Sequence, residues 1–534
     1  MAGAAIAYQW SVYELSLTAS GSYANPYTDV SVTARFTGPN NIVKAVRGFW
    51  DGGKNFKVRF TPNISGTWTY SITSTPPDSG LARSGALTVT LPPAGNHGFL
   101  RRDAANPYSF VWDDGTRYFM MGQTYYEIVR NARAAGGWRL AVDNSRSKGM
   151  NKIRMLIVPW PATENSYPNS QPFLSDNHDQ LDIAHWQALD QVVEHLESKG
   201  MVADIVLFAD TPLAYGTQTQ DERFVRYALS RFGAYHNVIW NLTNEWNYTK
   251  KPQSYWNGIG GILKTEDPWM LQGSAHRPLS THQQTRKDFQ FFGQTWPSYA
   301  SIQYGLRNGV YPNGDQWGNA GIVYNLGHGM PVVNDEYGYV GERPVSPLNV
   351  NYTQAQHRRV IWGIATAGGY GSAGDVRLIS NTYPIFQSNW ADAPGFYDDI
   401  KRLVDFWTTK GIQYWKMTSQ NSLVSSGTRV YARGNAGQEY VAYAAAGGVF
   451  ALNLPVKTYQ VQWFNPATGA AINGANVPGG TVSFTPPFSG DAVLYLKNTE
   501  VAAGFGFTLS NGGNKSVTQG QSVSNPITHR RVTS

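Results

Sequence analysis

Between residues 117 and 410 short apolar runs alternate with longer stretches whose apolar residues recur every three or four positions. That change of period, repeated along one stretch, constrains the fold more than any motif, because the two periods belong to strands and amphipathic helices. Apolar runs lie at 117–122, 151–158, 201–209 and 238–243, with further ones near 278–282, 301–305, 331–334 and 368–371. Between them, 182–199 places Ile183, Trp186, Leu189, Val193 and Leu196 on one helical face and stops at Gly200. A second helix over 221–235 carries Phe224, Ala228 and Phe232, and others are expected over 353–367 and 397–410. Strands separated by helices pair in parallel, because the crossover returns each strand in the same direction. Eight of them over roughly 300 residues predict a (β/α)8 (TIM) barrel. An open doubly wound sheet is the competing arrangement.

The flanks read differently. Residues 8–95 hold short alternating strands, such as 29–36, with turns at Gly38-Pro39-Asn40, Asp51-Gly52-Gly53 and Ser65-Gly66. This is the pattern of a β-sandwich. After Gly411 short strands return, separated by Gly, Asn and Pro, and predict a second sandwich. The expected multidomain division is 1–96, 97–411 and 412–498, with 499–534 read as a linker and the start of a truncated further β-domain. The links at 92–96 and 410–411 are short, which predicts docked domains. Trp50, Trp68 and Trp463 are the counter-evidence, since exposed aromatics on the sandwiches would suit independent sugar capture.

Composition closes off other classes. Charged residues are 15% and aromatics 13%, the reverse of a disordered chain, and too few charges for a coiled coil. Cysteine is absent, which excludes disulfides, thiolate metal sites and cysteine nucleophiles. The net charge of +7 is diffuse, with no basic run longer than pairs such as Lys250-Lys251, so no nucleic-acid partner is expected. No apolar run reaches the ~18 residues of a membrane span. Met1 to Ala7 lacks a basic segment and a full apolar core, and the expectation is a secreted or cell-surface bacterial protein shown without its signal peptide.

Barrel enzymes carry their reacting groups where strands end. Those positions hold Gln123, Asp210, Asn244-Glu245-Trp246, His282, Tyr304, Asp335-Glu336 and Asp375. Glu245 and Glu336 each follow an apolar run, where a carboxylate is costly without a use. Glycoside hydrolysis needs such a pair, one acid to protonate the leaving oxygen and one carboxylate to attack carbon or activate water. Loop aromatics, above all Trp160 and Trp246, would stack on sugar rings. Gly369 to Gly374 fits G-x-G-x-x-G but falls late in the barrel pattern, and Gly48 to Lys54 only approaches a P-loop. Neither H-E-x-x-H nor G-x-S-x-G occurs, and no histidines pair at ligand spacing; no cofactor and no metal are expected.

Asn244-Glu245 after strand four, with Glu336 after strand seven, resembles the large superfamily of retaining glycoside hydrolases. The stretch 97–411 resembles the apiosidase-like catalytic domains. Phe60-Thr61-Pro62 through Gly66-Thr67-Trp68-Thr69-Tyr70 resembles an N-terminal β-domain of unknown function often fused to such barrels. Val461-Gln462-Trp463-Phe464-Asn465-Pro466 through Val493-Leu494-Tyr495-Leu496 resembles a β-domain, named for collagen binding, that often follows them. The resemblance implies Glu245 as general acid/base, Glu336 as nucleophile and Asn244 on the substrate 2-hydroxyl. Trp246, His282, Tyr304, Trp160, Asp210 and Gln123 would contact a polysaccharide or oligosaccharide. Asp335 rivals Glu336, because neighbours on a strand face opposite sides and only one can face the barrel mouth. The alternative is a non-catalytic carbohydrate-binding or adhesion protein built on the same barrel.

Overall fold

The computed structural model describes residues 5–134, 136–158, 171–174, 177–210, 214–271, 273, 275–284, 288–303, 319–340, 353–375, 395–500, 507–511 and 527–531. A parallel barrel stands in the middle, with antiparallel sheet domains on either side.

The N-terminal domain packs a five-stranded sheet (Ala5–Tyr8, Arg83–Thr90, Gly66–Thr75, Ser31–Thr37, Val43–Arg47, in spatial order) against a three-stranded one (Tyr13–Thr18, Asn55–Phe60, Phe49–Trp50). Alternation in Ser31–Thr37 turns Val32, Ala34 and Phe36 inward, where Phe36 stacks on Phe60 at 3.8 Å. Trp68 is wholly inside this core.

Barrel strands one to four are Met121–Thr124, Lys152–Leu156, Val202–Phe208 and Val238–Thr243, each paired in parallel with the next. Strand six (Ala300–Ile302), strand seven (Val332–Asn334) and strand eight (Tyr370–Asp375) continue the ring back to strand one. Strand five is split. Leu279–Ser280 pairs with strand four and His282–Gln283 pairs with strand six, so the chain bridges the two ends of the sheet at Thr281. This is the expected barrel and not the open sheet.

Two elements depart from the sequence reading. The apolar run 117–122 is two strands: Arg117–Tyr118 closes a small antiparallel sheet with Phe110–Trp112 and Leu100–Arg102, and only Met121–Thr124 enters the barrel. The helix expected from residue 221 begins at Gln218, because Thr217 and Gln220 form a reciprocal capping box one turn earlier. The G-x-G-x-x-G match runs into strand eight, as its place late in the barrel pattern implied; a side chain at Gly369 would meet Ile322 at 2.7 Å and one at Gly371 would meet Tyr337 at 3.1 Å, so these two glycines serve close packing.

The C-terminal domain is an eight-stranded antiparallel sheet centred on the long strand Phe450–Phe464. A register shift between Leu454 and Thr458 bends that strand. Alternate residues therefore serve two cores: Phe450, Leu452 and Trp463 fill the domain's own, while Tyr443, Phe464 and Tyr495 join the barrel's. Trp463 and Trp68 are thus buried and Trp50 is half-buried with its indole N–H on the Gly53 carbonyl, which corrects their expected exposure. Strands Phe507–Asn511 and Ile527–Arg531 pair as a separate antiparallel ribbon.

Both flanking domains are docked. Arg59 of the N-terminal domain donates to Asp190 and to the Arg231 carbonyl, each at 2.8 Å, on two barrel helices, Ile183–Ser198 and Gln218–Phe232. Arg358 of the barrel helix Gln354–Ala367 donates to Asp491 of the C-terminal sheet at 2.7 Å. No helix among the described residues is long and apolar enough to cross a membrane.

Candidate active site

Strand four is buried along its whole length and delivers Asn244 to the end of the barrel. The Asn244 carbonyl oxygen is a hub for three other strands. It accepts from the Tyr126 hydroxyl (3.1 Å), just past strand one, and from Arg154 Nη2 (2.9 Å) on strand two. His282 Nδ1 on strand five lies 3.0 Å away. The Asn244 amide nitrogen faces Asp210 Oδ1, past strand three, at 3.5 Å. Donors on one side and a carboxylate on the other fix the amide in one orientation.

Glu245 then leaves the strand in the left-handed conformation, φ 43° and ψ 57°. A non-glycine residue rarely adopts this, and such strain clusters at functional sites. The turn starts the short 3₁₀ segment Trp246–Tyr248, and the Glu245 amide lies 3.4 Å from His282 Nδ1. His282 therefore contacts both members of the Asn244-Glu245 pair, and its Nε2 is 3.9 Å from Glu336 Oε2.

Glu336 follows strand seven and is 9% exposed. Its Oε2 lies 3.5 Å from the Tyr126 hydroxyl. Burial raises the Tyr126 phenol well above its ordinary pKa, and the charges of Glu336 and Glu245 push the same way against Arg154. Tyr126 is thus a protonated donor that feels both glutamates, and Arg154 donates to its oxygen in turn.

Asp335, the neighbour of Glu336, points the other way, into the barrel. Its carboxylate accepts from Lys152 Nζ (2.6 Å), Ser372 Oγ (2.7 Å) and Ser301 Oγ (2.6 Å), all fully buried. Burial alone would raise its pKa, but Lys152, Arg154 and these hydrogen bonds outweigh that and hold it well below the carboxylate range. Lys152 also reaches Asp204 on strand three at 2.9 Å. Asp204 is raised by burial and by the Asp335 charge, against Lys152.

The other expected residues divide. Asp210 and His282 join the cluster around Asn244. Gln123 does not reach the barrel mouth: it is fully buried and its amide donates to the Ala373 carbonyl of strand eight at 3.1 Å, so it belongs to the wall. Trp246 is largely enclosed, edge-on to Phe291 at 5.1 Å, with its indole N–H 3.4 Å from Gln283 Oε1. Trp160 and Tyr304 lie outside the described residues. Sequence reasoning missed Tyr126 and Arg154. Arg154 left a signal: Lys152 and Arg154 are two charges spaced by two in an otherwise apolar strand, hence on one face. Among the described residues no group of three or more His, Asp or Glu side chains is placed to hold a metal ion.

Two family models match this chain. Residues 7–75 match a domain of unknown function, DUF5060. Residues 104–413, more than half of the chain, match the apiosidase-like catalytic domain. The chain belongs to the apiosidase-like family. No curated protein matches its sequence. Among solved structures, the apiosidase-like chain is similar to a candidate glycoside hydrolase from Bacteroides vulgatus, with 20% identity, 93% of this chain and 100% of that one covered, and a TM-score of 0.74. A family 5 glycoside hydrolase from the same organism matches with 15% identity, 76% and 94% coverage and a TM-score of 0.61. A further glycoside hydrolase matches with 15% identity, 76% and 97% coverage and a TM-score of 0.60. These identities establish a shared fold. The apiosidase-like barrel with its N-terminal DUF5060 domain therefore has the architecture of glycoside hydrolases.

Proposed function

We propose that this apiosidase-like protein is a retaining glycoside hydrolase acting on a polysaccharide or glycan, with Glu336 as nucleophile and Glu245 as general acid/base. The observation that carries the reading is the shared surroundings of the two glutamates. Tyr126 lies 3.5 Å from Glu336, and its phenol, raised above all by burial, feels the charge of both carboxylates. His282 touches the Glu245 backbone and faces Glu336. In the first step Glu245 protonates the glycosidic oxygen while Glu336 attacks the anomeric carbon, and the aglycone leaves. In the second Glu245 takes a proton from water, which displaces Glu336 from the sugar. Asn244, whose carbonyl oxygen accepts from Tyr126 and Arg154, turns its amide toward the sugar 2-hydroxyl and Asp210. Tyr126 has one hydroxyl proton, which it gives to Asn244 at 3.1 Å and can turn to Glu336 at 3.5 Å, steadying its charge until attack.

A panel of nitrophenyl glycosides and plant or bacterial polysaccharides, with products sized, identifies the sugar. Glu336→Gln should abolish turnover of activated aryl glycosides. Glu245→Ala should retain far more on those same substrates, since a good leaving group needs little protonation, and azide should raise its rate. Full activity in Glu336→Gln, or no hydrolysis of any glycoside by the wild type, overturns the proposal.

A further inference from the structure

The chain holds a second layer of charge that the two-glutamate mechanism does not use. Lys152, Asp204, Asp335, Ser301 and Ser372 come from strands two, three, seven, six and eight, and all five side chains are fully buried. Replacing a buried ion pair by apolar residues is often neutral or stabilising, so stability alone is a weak reason for it. The layer also shapes its surroundings: a side chain at Gly122 of strand one would lie 2.6 Å from both Lys152 Cε and Ser372 Oγ.

Lys152, Ser301 and Ser372 converge on Asp335. Its carboxylate takes three hydrogen bonds from three strands. Its main chain is held as well: the amide donates to the Ile302 carbonyl at 3.0 Å, and its own carbonyl lies 3.5 Å from the Thr124 hydroxyl. The residue bonded to this anchor is Glu336.

We propose that Asp335 is a positioning residue for Glu336: the Lys152–Ser301–Ser372 clamp on its carboxylate fixes where the Glu336 carboxylate stands and sets the charge beneath it. This rests on Glu336 being the nucleophile. A group bonded to a residue tied to strands one, two, six and eight has little freedom, and near-attack geometry tolerates little error. The charged and titratable groups facing Asp335 are Lys152 and Arg154 from strand two, Asp204 from strand three and Tyr299 ahead of strand six. Those facing Glu336 are Tyr126, Arg154 and His282, and Glu245 acts on the same Tyr126. Removing the Asp335 charge makes the buried layer one unit more positive and favours the Glu336 anion.

The test uses the full chain, labelled with ¹³C at glutamate carboxyls; the Glu336 resonance is the one lost in Glu336→Gln. In Asp335→Asn, Glu336 should titrate about one pH unit lower, and kcat should fall about 100-fold with KM little changed. In Lys152→Met/Asp335→Asn the layer has its wild-type net charge again. The Glu336 titration should return to its wild-type position while kcat stays low, a separation that a merely structural role does not produce. A folded Asp335→Asn with unchanged titration, or with unchanged kcat, overturns the proposal. Should Asp335→Asn not fold, Ser301→Ala/Ser372→Ala removes two of the three clamp donors with little change in shape, and unchanged kcat in that folded variant overturns it equally. If the wild type hydrolyses no glycoside, the preceding reading has failed, and the carboxyl titration still decides whether Asp335 controls Glu336.

Discussion

The docking of the N-terminal domain can be tested at one side chain, Arg59. It is buried, donates to Asp190, to the Arg231 carbonyl and to Glu14, and lies against the Phe49 ring at 5.0 Å. Breaking a buried ion pair by deleting one partner costs about 3–5 kcal/mol, because the other charge is left behind. Here the orphan is only partial: Asp190 keeps Arg231, which binds both its oxygens. Arg59→Met should therefore sit at the lower end, about 3 kcal/mol. Asp190→Asn should cost more, about 5 kcal/mol, because it leaves two buried guanidinium groups sharing only Glu14 and Asp51. The double variant should be less destabilised than the sum, since the second change removes a charge the first had orphaned. Calorimetry of the full chain should show one transition for barrel and N-terminal domain, lowered by about 3–4 °C in Arg59→Met. A separate low-temperature transition for the N-terminal domain, with the barrel transition unmoved, refutes the docked reading, and so does strict additivity of the two substitutions.

Two further outcomes follow from buried groups. Burial lowers His357 from its ordinary value to about 3, with the Arg358 charge acting the same way. The unfolded chain therefore binds a proton there between about pH 6.5 and 3 that the folded chain refuses; the resulting stability is complete above that window and is lost as pH falls through it. His357→Gln should lose about 2 kcal/mol less than wild type in urea melts between pH 7 and 5, and parallel losses would remove His357 as the cause. Phe464 of the C-terminal sheet packs between Trp362 at 5.8 Å and Phe406 at 5.0 Å on barrel helices. Phe464→Ala should cost about 3–5 kcal/mol and lower the transition of barrel and sheet together; a loss confined to the sheet would mean that the interface does not support the barrel.

The barrel was legible because period is a collective signal carried by many residues. Its first strand was not, because 118–121 is one unbroken apolar run and only tertiary pairing divides it: Tyr118 pairs with Phe110, whereas Met121 pairs with Gly371. The aromatics misled for a related reason. Trp68, Trp246 and Trp463 carry the same local sequence character whether they face sugar or core, and the structure packs all three inside. Tyr126 left no signal, since a tyrosine after a strand is common; its meaning comes from Asn244 and Glu336, more than a hundred residues away in sequence.

The choice between Asp335 and Glu336 shows what an adjacent carboxylate pair can do at a strand end. Alternation forbids both from facing the same way, so the pair was open in sequence as a question of which one faces the mouth. In the structure the inward member does not stand idle. A carboxylate pointing into a packed barrel must be neutralised and hydrogen-bonded or it unfolds its surroundings. Lys152, Ser301 and Ser372 meet that requirement from three separate strands. The same demand that makes Asp335 expensive to bury makes its position sharply defined, and that definition passes through one peptide bond to Glu336. A hydrophobic residue at 335 would satisfy the core more simply, but it would tie Glu336 to the barrel by packing alone. Lys152 and Arg154 belong to the same logic: two residues apart on strand two, one holds the buried Asp335 and the other reaches Tyr126 and Asn244 at the mouth. Strand two thus links the charged layer to the candidate site directly, and substitutions at 152 and 154 should separate the two functions.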